Sequence, residues 1–598
     1  MNERATTIHG SVREAARRHS GRAALMYRRE GTYVDVGYDA LARAVDQAVD
    51  RLRAFGIRRG DVVGIACPNR PQWIVADLAV LSLGAVVVPI YPTLPADQLL
   101  YIARDSGMRM LFVGNAKLLG AVEEIRGDLP ALEEVLLLDD WGVRFGAPGP
   151  EEEGAGQAER PPDPDAGVSG GDLATIVYTS GTTGEPKGVM LTHANIVSNV
   201  RALIDRYAIT HEDSAVSYLP LAHMFERTCG HYVFLFAGGT VAYAESVTTV
   251  VKDVAAVRPT VLIAVPRVLE RAYQVAHDRI ESGPLLRRGI AHRAFSLLNE
   301  RENRRYQGKR ISPWLWLRCL MYDRLVASKI RATGGGRLRL IVSGGAPLDR
   351  AIGKILRVVG FGVVEGYGMT EASPVIASGE VADHRLGTVG RPLEGVEVRS
   401  SEAGEILVRG PNVMKGYLGK PEATAAAIDE DGWLHTGDLG GFDEEGHLVV
   451  SGRIKDIIVT SYGKNVAPIP VEERLTRSPL VSQAVVFGDN RKSLVALLVP
   501  EPEAIEKLAA ERGATAESYE DLLKHHVIHA ALRDEVARAN DEGASYERIT
   551  GFVALPEPFT PDNGMLTHTL KLRRRTIGER YSERIDSLYT DLEAKHAS

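Results

Sequence analysis

The stretch YTSGTTGEPKGV, residues 178–189, crowds four small hydroxyl side chains, three glycines and a single lysine into twelve positions. The apolar run before it, 173–178, reads as a buried strand, so the loop departs from a sheet edge, where α/β proteins usually hold their ligands. A loop this poor in side-chain bulk exposes its backbone N–H groups. With the hydroxyls of Thr179, Ser180, Thr182 and Thr183, the backbone of Gly181 and Gly184 and the charge of Lys187, those groups make a cradle for phosphate oxygens. The spacing does not fit the Walker phosphate loop, because Gly181 and Gly184 are three apart and Lys187 is followed by Gly188. A flexible Gly/Thr turn between two strands is the bland alternative, and the rest of the chain decides between them.

At 598 residues the chain exceeds a single core and implies two large units or several smaller ones. Its composition is that of an ordinary globular protein, 44% apolar and 25% charged with net charge −7, and nothing in that balance asks for nucleic acid. Cys67, Cys229 and Cys319 are far apart with no CxxC pair, so neither a disulfide framework nor a zinc site is expected, and a cytoplasmic setting fits. Residues 1–20, MNERATTIHGSVREAARRHS, carry charges throughout and lack the apolar segment of a secretory signal. The longest apolar passage, 74–91, is broken by Asp77, Gly84 and Pro89 and predicts a buried helix followed by a buried strand rather than a membrane span. The stretch 309–331, KRISPWLWLRCLMYDRLVASKIR, mixes Trp314, Trp316 and leucines with basic residues. It reads first as a core helix with a solvated basic face; a helix lying on a membrane surface, a peripheral contact, is the second possibility.

Residues 146–171 are acidic, rich in Pro and Gly and nearly free of large apolar side chains, which predicts a surface excursion. Around it, from about 10 to 450, short β-branched runs alternate with amphipathic helical patterns, for example LRLIVSGGAP at 338–347 after a helix ending near Ala332. From Gly452 the texture changes. Strands VSQAVVFGD (481–489) and SLVALLVPE (493–501) precede a largely helical stretch that starts at Pro502 and runs to about Glu542. The fold class expected is therefore α/β, with a large multi-layered N-terminal domain at 1–452 and a smaller α+β C-terminal domain at 453–598.

Further motifs follow the glycine-rich loop in order: YLPLAHMFER (218–227), VPRVLER (265–271), SGGAPLD (343–349), EGYGMTE (365–371), WLHTGDL (433–439), GRIKDIIV (452–459) and LTHTLKLRRR (566–575). On these the chain resembles the adenylate-forming enzymes from about residue 35 to 585. Within them it is similar to the long-chain fatty acyl-CoA synthetases, to which LPLAHMFER, VPRVLE and the LT-x-TLK ending point. The resemblance implies ATP, Mg2+ and coenzyme A as cofactors, a long-chain fatty acid as substrate, and a mobile C-terminal lid domain that carries the catalytic lysine. Oligomeric state is left open.

The chemistry of the residues runs beside the resemblance. A carboxylate is a poor electrophile, and attack on the α-phosphate of ATP turns one of its oxygens into a leaving group as acyl-AMP. The loop at 179–188 would hold the phosphate tail that departs as pyrophosphate. Glu371, a carboxylate in a turn after a strand, is the natural Mg2+ ligand. Thr370 is placed to bond the α-phosphate, and Tyr367 offers a flat face for adenine beside the backbone of Gly344, Gly345 and Ala346, with Glu365 and Gly366 in the same motif. Taken alone, a tyrosine between glycines is a core aromatic and Asp438 after a glycine is a turn residue. By resemblance Asp438 accepts hydrogen bonds from both ribose hydroxyls, with Arg453 helping, and His223 borders the acyl and pantetheine channels. His193 reads instead as a strand-to-helix junction with Thr192 as N-cap.

By the same resemblance Lys571 carries the adenylation step, stabilising charge that gathers on the α-phosphate and the attacking carboxylate. Without it, Lys571 and Arg573 to Arg575 read as a solvated basic run, and His568 stands where the family ending usually has proline. Lys455 and Asp456 fall where these enzymes swivel the small domain, so that Lys571 withdraws and the segment around Gly463 faces the channel instead. Two other readings remain at this point. One is a fatty acyl-AMP ligase loading a carrier protein, which typically has an insertion near Gly390 that GTVGRPLEGVEV lacks; the other is a non-catalytic lipid-binding homologue.

Overall fold

The computed structural model describes residues 6–141, 167–179, 185–246, 248–306, 309–383, 385–560, 563–566 and 572–597. The apolar runs Val62–Ala66, Val86–Ile90 and Met110–Val113 are almost wholly buried and pair in parallel, as strands covered on both faces do. They belong to a seven-stranded sheet that also takes in Leu173–Thr179 and Lys187–Thr192. A nine-stranded sheet runs from Arg391–Pro392 through Gly362–Gly368, Leu340–Ser343 and Ser214–Ser217 to Thr32–Gly37. One core cluster draws on both sheets and on residues from Ile8 to Leu448. The passage at 74–91 is the helix Pro71–Ser82 followed by the strand Val86–Ile90, and within that helix Trp73 to Ser82 are all buried.

A four-stranded antiparallel sheet, Glu397–Ser400, Glu405–Arg409, Leu434–Phe442 and Leu448–Arg453, leads out of this body. Beyond it come the three-stranded sheet of Val481–Phe487, Leu494–Pro500 and Ile549–Ala554 and the helices Pro502–Arg512, Tyr519–Lys524 and His526–Asp541. These build separate core clusters from residue 458 onward; among the described residues no cluster mixes them with residues up to 450. The chain is thus a large α/β body followed by a smaller α+β unit. Thr192 caps the helix His193–Tyr207 in a reciprocal box with Asn195. Of the Pro- and Gly-rich segment 146–171, residues 146–166 lie outside the described residues.

The helix Pro313–Tyr322 departs from the core-helix reading. It buries Leu315 and Cys319 against the helix Leu285–Tyr306, with the Cys319 thiol 3.5 Å from the Leu297 carbonyl, yet Trp314 and Trp316 are 68% and 56% exposed. Apart from Arg318 the segment is apolar on every side, and packing uses only one of them. Among the described residues no helix is long and apolar enough to cross a membrane.

The HMFER motif opens a π-helical segment, Glu226–Tyr232, that is buried throughout. Arg227 bonds Asp77, Tyr232 Oη at 2.8 Å and Thr175 Oγ1 at 2.9 Å, and Tyr232 Oη donates to Asp77 Oδ2 at 2.5 Å. One guanidinium therefore joins the helix Pro71–Ser82 to the strand Leu173–Thr179. Next to it, Glu226 is 0% exposed, neither carboxylate oxygen meets a hydrogen bond of ordinary geometry, and burial pushes its carboxyl up to about 8. A glutamate in the unfolded chain ionises near 4.5, so between those values unfolding releases a proton and stability falls as pH rises. Glu226→Gln removes this term. Its melting temperature relative to wild type is expected to climb from pH 5 to pH 8, and parallel curves for the two proteins would refute the buried neutral acid.

Candidate active site

Thr179 and Lys187 are paired partners at the loop end of an antiparallel hairpin, so the glycine-rich loop begins and ends on two adjacent strands. A hairpin, not a strand-to-helix turn, carries it, in agreement with the mismatch to the Walker spacing. Ser180, Gly181, Thr182, Thr183 and Gly184 lie outside the described residues. The short strand Gly416–Tyr417 adds to the same hairpin, Tyr417 opposite Val189. Lys187 Nζ stands 4.8 Å from the centre of the Tyr417 ring, and Tyr417 Oη donates to Glu371 Oε1 at 2.9 Å. Burial and the neighbouring carboxylate hold that phenol protonated, as a donor must be.

Glu371 is 8% exposed in the 3-10 turn Thr370–Ala372, with Thr370 half-buried beside it. Its Oε1 is oriented by Tyr417, and its donor set suits a hard cation. Among the described residues no three His, Cys, Asp or Glu side chains converge. A divalent ion here would be held by one carboxylate together with phosphate oxygens and water, which fits Mg2+.

The strand Gly362–Gly368 that feeds this turn brings Tyr367 to Asp438: Tyr367 Oη donates to Asp438 Oδ2 at 2.6 Å, and Arg453 Nε donates to Oδ1 at 2.8 Å. Asp438 and Arg453 face each other across the strands Leu434–Phe442 and Leu448–Arg453. Both oxygens are oriented but each keeps acceptor capacity for a hydroxyl. Tyr367→Phe is expected to loosen Asp438 and raise KM for ATP several-fold, up to about tenfold, from one lost hydrogen bond to a charged group. An unchanged KM in a pyrophosphate-release assay would refute this coupling.

Gly344, Gly345 and Ala346 follow the strand Leu340–Ser343. A Cβ on Gly344 would stand 2.7 Å from the Phe225 ring, so glycine leaves the room in which that ring packs against the Gly344 backbone, and Gly345 has φ of 84°. Phe225 belongs to the loop of half-buried His223, whose Nδ1 accepts from Phe225 N at 3.1 Å. The Glu365 carboxylate accepts from Leu348 N at 3.3 Å and Gly387 N at 2.8 Å, and thereby braces the glycine loop. Gly366 pairs with Ser378.

Lys455 is exposed on the turn Ile454–Asp456, directly after Arg453. Lys571 lies outside the described residues with 567–570, including His568. Leu566 and Leu572 bridge in antiparallel fashion, and Arg573 N donates to Met565 O at 2.9 Å, so the ends of that segment are tied together. Arg574, read as part of a solvated run, instead bonds Glu472 at 2.6 and 2.9 Å and Val486 O at 2.7 Å. From the smaller unit Arg477 Nε reaches Asp349 Oδ2 at 3.1 Å, while Asp349 Oδ1 caps the helix Arg350–Val359.

The model of the AMP-binding enzyme family matches residues 12–418, and that of the AMP-binding enzyme C-terminal domain matches 455–593. The chain belongs to the AMP-binding enzymes. This AMP-binding enzyme is 36% identical over 569 residues to the long-chain-fatty-acid–CoA ligase FadD15 of Mycobacterium bovis, covering 94% of this chain and 93% of that one. It is 34% identical over 566 residues to long-chain-fatty-acid–CoA ligase 5 of Rattus norvegicus, covering 89% and 80%. In fold it is similar to the anthranilate CoA ligase AuaEII in complex with anthranoyl-AMP, with a TM-score of 0.71 at 19% identity over 97% of this chain and 98% of that one. Tyr417 went unread in the sequence of this AMP-binding enzyme, because its partners Lys187 and Glu371 are far away along the chain and only the pairing of Gly416–Tyr417 with Lys187–Thr192 brings the three together.

Proposed function

We propose that this AMP-binding enzyme activates a long-chain fatty acid with ATP to acyl-AMP and then passes the acyl group to coenzyme A. What supports the reading above all is that one strand and its turn, 362–372, carry both Tyr367, bonded to Asp438, and Glu371, bonded to Tyr417 beside Lys187. A ribose-binding carboxylate and a phosphate-and-metal edge are thereby set side by side. The fatty acid carboxylate attacks the α-phosphorus, the bond to the β-phosphate breaks, and pyrophosphate leaves along the 179–188 loop. Thr370 and Lys571 hold the α-phosphate oxygens. Glu371 would hold Mg2+, which would supply neutralisation of the phosphate charge. The thiol then attacks the acyl carbonyl and AMP leaves.

The division at 452 and 453 lets the smaller unit turn about 453–456, so that Lys571 serves the first step and the segment at Gly463 the second. The half-buried His223 borders the acyl route, and its Nδ1 accepts from Phe225 N. The enzyme works in the cytoplasm at a membrane surface, where its apolar substrate partitions. Purified protein with ATP, Mg2+ and acids from acetate to stearate is expected to release pyrophosphate continuously only with coenzyme A, most with long chains. A coenzyme-A-independent burst near one equivalent would replace this reading with a carrier-protein ligase. No release with any acid would replace it with a lipid-binding protein.

A further inference from the structure

The helix Pro313–Tyr322 is apolar on nearly every side. At 100° per residue, Leu315, Cys319 and half-buried Tyr322 share the inward arc, while Trp316, Leu320, Leu317, Met321 and Trp314 spread over roughly 160° of the outward one. Those five are 56%, 36%, 52%, 49% and 68% exposed, and Leu325 beyond them is 48% exposed. Single exposed apolar residues are ordinary; a continuous arc with two tryptophans marks a contact surface.

Charge identifies what covers it. The chain carries net charge −7, yet the stretch 309–331 has six Lys and Arg against the one acid Asp323, which is bonded to Arg331 at 2.7 Å. Lys309 and Arg310 precede the helix, Arg318 borders the apolar arc, and Arg324 and Lys329 follow it. Among the described residues none of these five is in an ion pair. An anionic plane would attract this face and repel the rest of the molecule. Ten residues span only about 15 Å, too little to cross a bilayer. Tryptophans at the headgroup level, with Lys and Arg stems reaching toward phosphates, describe a helix lying in the interface.

We infer that the face Trp314, Trp316, Leu317, Leu320, Met321 docks this protein on an anionic phospholipid bilayer. The inference extends the reading that the substrate is a membrane-partitioned acid, but its test does not depend on catalysis. Of the five tryptophans, Trp73, Trp141 and Trp433 are 0%, 3% and 7% exposed, so an emission change on adding vesicles reports Trp314 and Trp316. The full chain is mixed with vesicles of phosphatidylcholine with and without phosphatidylglycerol, and sedimentation and emission are recorded.

Binding that requires the anionic lipid, weakens in high salt and shifts the emission to the blue is expected. Trp314→Ala/Trp316→Ala and Arg310→Glu/Arg318→Glu should each reduce partitioning at least about tenfold, with unchanged melting and unchanged pyrophosphate release on octanoate in solution. No sedimentation with anionic vesicles, or variants that sediment like wild type, would overturn the docking face. So would a concentration-dependent dimer that the tryptophan variant disperses, since the arc would then cover a second copy. A wild-type chain that releases pyrophosphate but binds no vesicles rejects this face alone; a wild-type chain that binds vesicles but releases no pyrophosphate rejects the ligase reading alone.

Discussion

Lys571→Ala is expected to slow pyrophosphate release by on the order of 100- to 1000-fold, the usual effect of deleting one preorganised contact to charge that develops in the transition state. In the attack on the α-phosphate, negative charge concentrates on the non-bridging oxygens and on the departing pyrophosphate, and a lysine there stabilises the transition state more than bound ATP. The variant should therefore keep its KM for ATP and its melting temperature. The bridge between Leu566 and Leu572 and the bond from Arg573 N to Met565 O close the loop through backbone groups, which side-chain truncation leaves in place. Thioester formation from synthetic acyl-AMP and coenzyme A should survive, because that step no longer builds charge at the α-phosphate. Equal loss in both half-reactions would contradict the role assigned to Lys571.

Arg227→Met is expected to cost about 3–5 kcal/mol, because it leaves the Asp77 charge buried without its partner. The guanidinium and Asp77 are both 0% exposed, and Arg227 also donates to Thr175 and Tyr232. A buried ion pair adds little over an apolar pair of similar shape, so Arg227→Met/Asp77→Leu should recover a large part of the loss. Arg227→Lys should not, since a single ammonium cannot serve three acceptors in a fixed fork. Urea midpoints for the three variants check this; a stable single variant would mean that Asp77 is neutral in the native protein. The same network joins the strand feeding the glycine-rich hairpin to the loop of His223, through Thr175 and through Arg227 N bonded to His223 O at 3.1 Å. Folded Arg227→Met molecules should consequently also bind ATP more weakly.

Local signals were legible wherever chemistry and sequence neighbours coincide. Thr192 announced its helix, Pro502 its own, and the interrupted apolar run at 74–91 its helix and strand. Tyr367 and Glu371 share one motif, and both stand where that motif implies, on a strand and its following turn. Contacts made by pairing across the chain were not legible. Tyr417 joins Lys187 and Glu371 only because a two-residue strand adds to the edge of a distant hairpin. Arg227 read as one letter of a motif, and its partner Asp77 as an interruption in an apolar run, when each is the reason the other is tolerated. The helix Pro313–Tyr322 misled in the opposite direction: apolar composition says that a surface wants covering, not whether the same chain covers it.

The contact of Arg477 with Asp349 bears on how readily the two halves part. The arginine side chain is 44% exposed and the carboxylate 20%, and a pair so open to water contributes on the order of 0–1 kcal/mol and fades as salt is added. Because Asp349 also caps a helix through its other oxygen, it keeps its bonds from Ala351 N and Ile352 N when Arg477 departs. Separation strands no buried charge, so this tie behaves as a catch with a low release threshold: enough to favour one orientation, too weak to make leaving it slow.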